Sequence, residues 1–454
     1  MLLAILLAVE AALKPFVKID APAVVLEHVR VIDGTGAPPR EDQTLYIVEG
    51  KLAASAPADA PRIDLRDHTV FPGLVGMHDH IFYPAGGAIF HEMARSFPRL
   101  YLAAGVTTIR TAGSIEPYTD LELKREIDSG KQPGPRMYVT GPYIEGKGTW
   151  TPQMHQVRGP DDARRTVEFW AGQGATSFKL YNFLTRAEAG AAIDAAHKLG
   201  LKVTGHLCSI GFTEAAQLGI DDLEHGLFVD TEFFAGKKPD ECPAQEALKA
   251  LQTLSAGDPR VGAMIAELVK RRVAVTSTLA VFEAAAPARF DKVVTPRVLD
   301  ALSPDARSNL LARHTGGAQR EDRLDVEALL KLEMQFERAF AKAGGQLLAG
   351  CDPTGNGAAL AGYGDQREVE LLVEAGFTPI EALKIASFDG ALWLGAQERI
   401  GAIGQGRDAD LVVVKGDPSR TISDIEKIEI VFKDGVGYDP QKLVESVRGL
   451  VGIR

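Results

Sequence analysis

Eight short apolar runs, each separated from the next by a helix-like stretch, constrain this chain more than any other feature. They span residues 74–80, 106–112, 136–141, 176–181, 202–207, 222–225, 273–278 and 346–350. Most are bounded by glycine, proline or polar turns, as buried strands are. The intervening stretches, such as 186–199, 213–218 and 326–343, have a helical pattern. Strand–helix alternation predicts a parallel sheet of the α/β class. Eight units predict closure into a (β/α)8 TIM barrel, whose active site lies at the carboxyl ends of the strands. The alternative is an open doubly wound sheet, which usually carries a glycine-rich turn after its first strand. Here that strand ends in His78-Asp-His80, and the chain has neither a G-x-G-x-x-G nor a P-loop.

The two ends have another texture. Runs at 24–32, 45–48 and 62–70 read as strands, and so do 409–415 and 428–433. They predict a small composite β-sandwich built from residues 20–70 and 396–440, with the barrel occupying 71–395. Residues 1–19 are expected to be a leader or an N-terminal helix. The apolar start lacks the basic flank of a signal peptide and is far too short to cross a membrane. Cytoplasmic and exported (periplasmic) locations therefore stay equal alternatives. The longest stretches outside the repeat, 141–161, 227–262 and 279–325, would rim the pocket and select the substrate.

A formal net charge of −11 argues against nucleic acid or an anionic membrane as partner and leaves a small molecule. Oligomeric state stays open, homo-oligomers included. Three cysteines are an odd number and too few for a disulfide framework. Cys208 and Cys351 flank candidate site residues, and packing is their expected role.

The chemistry lies at the strand ends. His78 and His80 are two apart, so on a strand both face one side and can share a metal. Asp79 between them would point outward and fix the backbone. His206 and His225 each end a further strand. Alone, either would read as a satisfied histidine; together the four supply imidazoles suited to Zn²⁺. Asp352 follows the last strand, where a carboxylate can bind metal and take a proton, or simply cap a turn. Lys179 sits in a largely apolar strand, and a buried ammonium needs a partner or a chemical change. Either it pairs with a carboxylate across the barrel, or its neutral amine adds CO₂. The resulting carbamate would offer two oxygens able to bridge two cations.

The segments Phe71-Pro-Gly-Leu-Val-Gly-Met-His-Asp-His80, Gly105-Val-Thr-Thr-Ile-Arg110, Phe178-Lys-Leu180, Val203-Thr-Gly-His206, Glu224-His-Gly226 and Ala349-Gly-Cys-Asp352 together resemble the binuclear amidohydrolase superfamily. Within it, the likeness is to the imidazolonepropionase-related group that contains prolidases. The resemblance implies two divalent ions, Zn²⁺ as the expected metal, and CO₂ held as a carbamate on Lys179. His78 and His80 would bind the more buried ion, His206 and His225 the more exposed one. Lys179 would bridge them, and Asp352 would contact the buried ion and act as the catalytic base, then acid. The implied reaction is hydrolysis of an amide or peptide-like C–N bond by a bridging hydroxide. An Xaa-Pro or other dipeptide, or an N-acyl amino acid, would be the substrate.

Tyr181 could face the same pocket, with packing as the alternative. His155 is a candidate for a substrate carboxylate, with solvent exposure as the alternative. Two departures bear on substrate class: Thr111 stands where relatives carry an acid, and the loop from Tyr143 to Trp150 lacks a His-rich turn. The rival readings are a single-metal imidazolonepropionase-like hydrolase or deaminase and, more remotely, a non-catalytic barrel used for binding.

Overall fold

The computed structural model describes residues 11–318 and 324–453. All eight runs fold as strands: Leu74–Asp79, Val106–Thr111, Arg136–Tyr138 continued by Thr140–Ile144, Ser177–Leu180, Lys202–Gly205, Asp222–Glu224, Ala274–Ser277 and Leu347–Ala349. They pair in parallel as two sheets. One orders the third, second and first strands; the other runs from Thr140–Ile144 through the remaining five in chain order. The third strand is interrupted at Val139 and contributes to both.

The edges of these sheets approach each other twice. Ser114 bridges Pro142 in parallel on one side. On the other, the Asp352 amide donates to the His78 carbonyl at 2.8 Å. Gly350 permits that second approach, because a Cβ there would lie 2.2 Å from the His78 nitrogen.

Period-two alternation sorts each strand. Phe178, Leu180, Val203, Leu223 and Val275 pack outward against helix residues such as Ala192, Ala215 and Leu268. Ser177 and Lys179, Asp222 and Glu224, and Ala274 and Thr276 take the opposite face. The first strand departs from strict alternation. Its register with the second shifts between Gly76 and Asp79, which is a bulge. Met77 can therefore join Val75, Leu348 and Trp393 in an apolar floor, while the next residue, His78, still turns toward the site.

The chain ends meet as expected, but in one hydrogen-bonded sheet of nine strands. Leu411–Lys415 pairs antiparallel with His68–Pro72, and Val436–Tyr438 with Val17–Ile19. Val24, Leu26, Val413 and Phe432 form its core. The leader or N-terminal helix expected over 1–19 falls partly on residues 1–10, outside the described part. Lys14–Phe16 is a short 3-10 turn, and Val17–Ile19 is a strand of this sheet. Among the described residues no helix is long and apolar enough to cross a membrane.

Two features were not expected. Cys208 and Cys242 form a disulfide, where packing was expected for Cys208. The segment after the sixth strand folds back over the end of the fifth and brings their Cα atoms to 4.9 Å, within bridging range. A separation of 34 residues in sequence hid that proximity. Cys351 is buried and free, as packing requires. An antiparallel hairpin, Phe82–Gly86 with Ile89–Glu92, also follows His80 directly.

Gly350→Ala would drive a methyl into the His78 backbone where the two sheets meet. The expected cost is about 1–3 kcal/mol of stability, read from denaturant unfolding. Unchanged stability would show that the sheet edges are not packed there.

Candidate metal centre

Four imidazoles, an amine and a carboxylate converge above the strand ends. His78 Nε2 lies 3.1 Å from Lys179 Nζ and 3.7 Å from Asp352 Oδ2. His80 Nε2 is 3.4 Å from Asp352 Oδ1, and His225 Nε2 is 3.8 Å from Oδ2. The His206 ring centre stands 4.5 Å from that of His225. His78, His80 and Asp352 offer ligand atoms all within 4.8 Å of one another.

The outer nitrogens each have a polar neighbour. His78 Nδ1 faces Glu224 Oε2 at 2.6 Å, His80 Nδ1 the Gly113 carbonyl at 3.2 Å, and His225 Nδ1 the Thr278 hydroxyl at 2.8 Å. Three rings thus turn Nε2 toward a common centre, the arrangement that metal-binding histidines share. Buried His225 Nε2 has no hydrogen-bond partner among the described residues. That orphaned atom, with the nitrogen and carboxylate donors around it, fits a divalent cation.

Local backbone aims two of these groups. Glu224 already faces the interior, so the next residue on an extended strand would face the helices. His225 instead adopts φ 72° and turns back toward the site. Asp352, with φ 45°, does the same after Cys351. Asp79 points away, as expected, with Oδ1 3.4 Å from Cys351 Sγ.

Burial sets the charges. It pushes His80 down to about 4 and His206 to about 3, where Lys179 adds to the effect. It also lowers His78 and takes His225 well below its ordinary value. All four rings are neutral at pH 7, as ligands must be. Burial raises the Asp352 carboxyl, but the surrounding imidazoles, His78 foremost, hold it well below the usual carboxylate range. Burial lowers Lys179 against the opposing pull of Glu224 and Asp352. Among the described residues Lys179 has no ion-pair partner. Its ammonium position is faced by the Tyr143 ring at 5.5 Å and the Tyr181 ring at 5.9 Å.

Above the donors opens a cavity of about 450 Å³. Phe82, Phe90, Trp150 and Met154 build one wall and Phe282 stands among its other lining residues. The unexpected hairpin supplies Phe82 and Phe90. Tyr181 is buried, lines this cavity and touches His206, their rings 4.8 Å apart. His155 is not brought there. It is exposed, 3.7 Å from Asp162, and lines a neighbouring cavity beyond Tyr143 and Met154. Glu224 and Tyr143 were not singled out from sequence. The acid pair Asp222 and Glu224, spaced two apart in a buried strand, was the available signal for Glu224.

Residues 334–437 match the amidohydrolase family. No curated protein sequence matches the chain. Solved structures share its fold over nearly the whole length. A bottromycin amidohydrolase aligns with a TM-score of 0.73 at 23% identity, covering 98% of this chain and 94% of that one. An Xaa-Pro dipeptidase with methionine bound in its active site gives 0.68 at 21%, covering 92% and 100%. A putative prolidase from Bifidobacterium longum gives 0.67 at 23%, covering 94% and 98%. At these identities the likeness is one of fold, and the family match is confined to residues 334–437.

The depressed histidines fix a pH response for the metal-free protein. Below pH 6.5 the unfolded chain takes up protons that folded His80 refuses until about pH 4. The His80 contribution to stability should be fullest above 6.5 and fall as pH drops toward 4, by roughly 3 kcal/mol, while buried carboxyls whose protonation burial favours, such as Glu92 and Asp120, act in the opposite direction. Urea unfolding of wild type and His80→Asn across that range isolates it, and a stability difference that does not change with pH would contradict a neutral buried His80.

Proposed function

With an amidohydrolase fold and a segment of that family as premises, we propose that this protein is a binuclear metal-dependent amidohydrolase. It cleaves the amide or peptide-like bond of a small substrate, an Xaa-Pro or other dipeptide or an N-acyl amino acid. The observation that carries the reading is Lys179: a buried amine with no ion-pair partner among the described residues, 3.1 Å from a histidine nitrogen that faces a cluster of metal donors. A carbamate on that amine supplies the anionic bridge that the lysine itself cannot.

His78 and His80 would hold one ion and His206 and His225 the other, with carboxylated Lys179 and Asp352 as the further ligands. When bound, such a pair of ions supplies hydroxide at neutral pH and polarises the scissile carbonyl. The chain's own residues handle the rest. Asp352 accepts a proton and passes it to the leaving nitrogen, base first and acid second. Tyr143 and Tyr181 have their ionisation pushed up by burial and keep their protons. They are hydroxyl donors on the cavity wall for the substrate's oxygens. The aromatic wall suits an apolar side chain beside the scissile bond.

The same reading takes the two parallel sheets as one closed barrel over 71–395, flanked by the composite terminal unit of 20–70 and 396–440. The Cys208–Cys242 disulfide favours export over the cytoplasm.

Metal analysis should find about two divalent ions per chain, against about one for a single-metal hydrolase or deaminase. A screen of dipeptides and N-acyl amino acids then identifies the substrate. Lys179→Ala should abolish hydrolysis, with partial recovery on adding a short carboxylic acid; full activity without rescue would refute the bridge. Asp352→Asn should lower kcat by about 10²–10⁴-fold if the carboxylate moves the proton, and a near-native kcat would remove it from that role.

A further inference from the structure

We propose that Arg110, which contacts none of the six donors, is a positioning residue of the metal centre, acting on His78 through Glu224. Arg110 comes from the second strand and is completely buried. Its Nη2 lies 3.0 Å from Glu224 Oε1 and 3.3 Å from Asp222 Oδ2. The other Glu224 oxygen faces His78 Nδ1 at 2.6 Å. Asp222 in turn accepts from the Thr276 hydroxyl at 2.8 Å. One polar strut therefore links the second, sixth, seventh and first strands just below the donors.

Three considerations support a role beyond holding the fold. First, Glu224 gives His78 the only carboxylate partner among the outer nitrogens described above; His80 faces a carbonyl and His225 a hydroxyl. A carboxylate there selects the tautomer with the proton on Nδ1 and the lone pair on Nε2, and it strengthens the ring as a donor. Second, a carboxylate buried this deeply needs a counter-charge, and Arg110 meets it on the side away from His78. With Oε1 tied down, Oε2 is directed at the ring. Third, Arg110 is itself fixed in depth: the Trp393 ring lies 5.1 Å from its guanidinium carbon, at the apolar floor. Nε and Nη1 have no hydrogen-bond partner among the described residues, so the guanidinium is gripped through Nη2 alone. A purely structural ion pair would have no reason to converge on a metal donor. This one ends on the ring nitrogen opposite Lys179.

The inference rests on the metal centre proposed above, and its test separates the two. Zn²⁺ affinity is measured by competition with a chromophoric chelator on metal-stripped protein, alongside thermal unfolding of the metal-free form. The wild-type chain should bind Zn²⁺; failure to bind overturns the centre itself. Arg110→Met combined with Asp222→Asn removes one charge of each sign. It should weaken Zn²⁺ binding by about 10–100-fold, and Arg110→Lys should fall between it and wild type. If the double variant does not fold, Glu224→Gln reports on the same contact and should lose about 10–100-fold. A folded variant with a lower Tm whose Zn²⁺ affinity stays within about twofold of wild type, well short of that range, overturns the strut and leaves Arg110 a structural role.

Discussion

A primary amine deep inside a protein, with no ion-pair partner among the described residues, is the constraint around which this structure is arranged. Burying an ammonium without an ion-pair partner is costly, and burial drives Lys179 toward its neutral form. Its surroundings agree. Two tyrosine rings cover it, a histidine nitrogen stands at hydrogen-bond distance, and the nearest carboxylates are already engaged by Arg110 and by the imidazoles. An amine kept from its ordinary charge is also the form that can add CO₂. In the function proposed above, that modification would supply the anion that four neutral rings and two cations require.

The interior is built in tiers that serve this purpose. Val75, Met77, Leu348 and Trp393 close the floor against water. Arg110, Asp222 and Glu224 form an ionic layer above it, and the donors form the next. The hairpin after His80 then walls the cavity with phenylalanine. Water is thereby excluded from below and partly from the side, so electrostatic interactions among the donors are strong. Strand pitch alone produces most of this order: residues two apart share a face, and successive tiers differ by one step along the same strands.

Much of this was legible in the sequence, and the reason is local. Each strand announced itself by a short apolar run with turn residues on either side, and all eight lie within a few residues of expectation. The donors were legible because polar residues at the ends of such runs are conspicuous. What escaped depends on contacts between remote segments. Cys208 finds Cys242 only because a long connection doubles back. Arg110 looked like the end of an ordinary strand until Glu224 was seen across from it. The hairpin at 82–92 was concealed by its position, since its alternation follows directly on a strand already assigned. His155 stands apart for the complementary reason: a loop histidine carries no directional information, and here it is exposed beside Asp162.

The left-handed backbone at His225 and Asp352 narrows what could ever replace them. Outside glycine, asparagine, aspartate and histidine enter that conformation several times more often than other residues. A cysteine or glutamate introduced to favour a softer or harder ion would have to adopt a shape it resists, at a cost of about 1–3 kcal/mol per site. In the proposed centre, ligand exchange at these two positions therefore favours few side chains before coordination chemistry has any say. Attempts to retune the ion preference would do better at 78 and 80, where the main chain imposes no such filter.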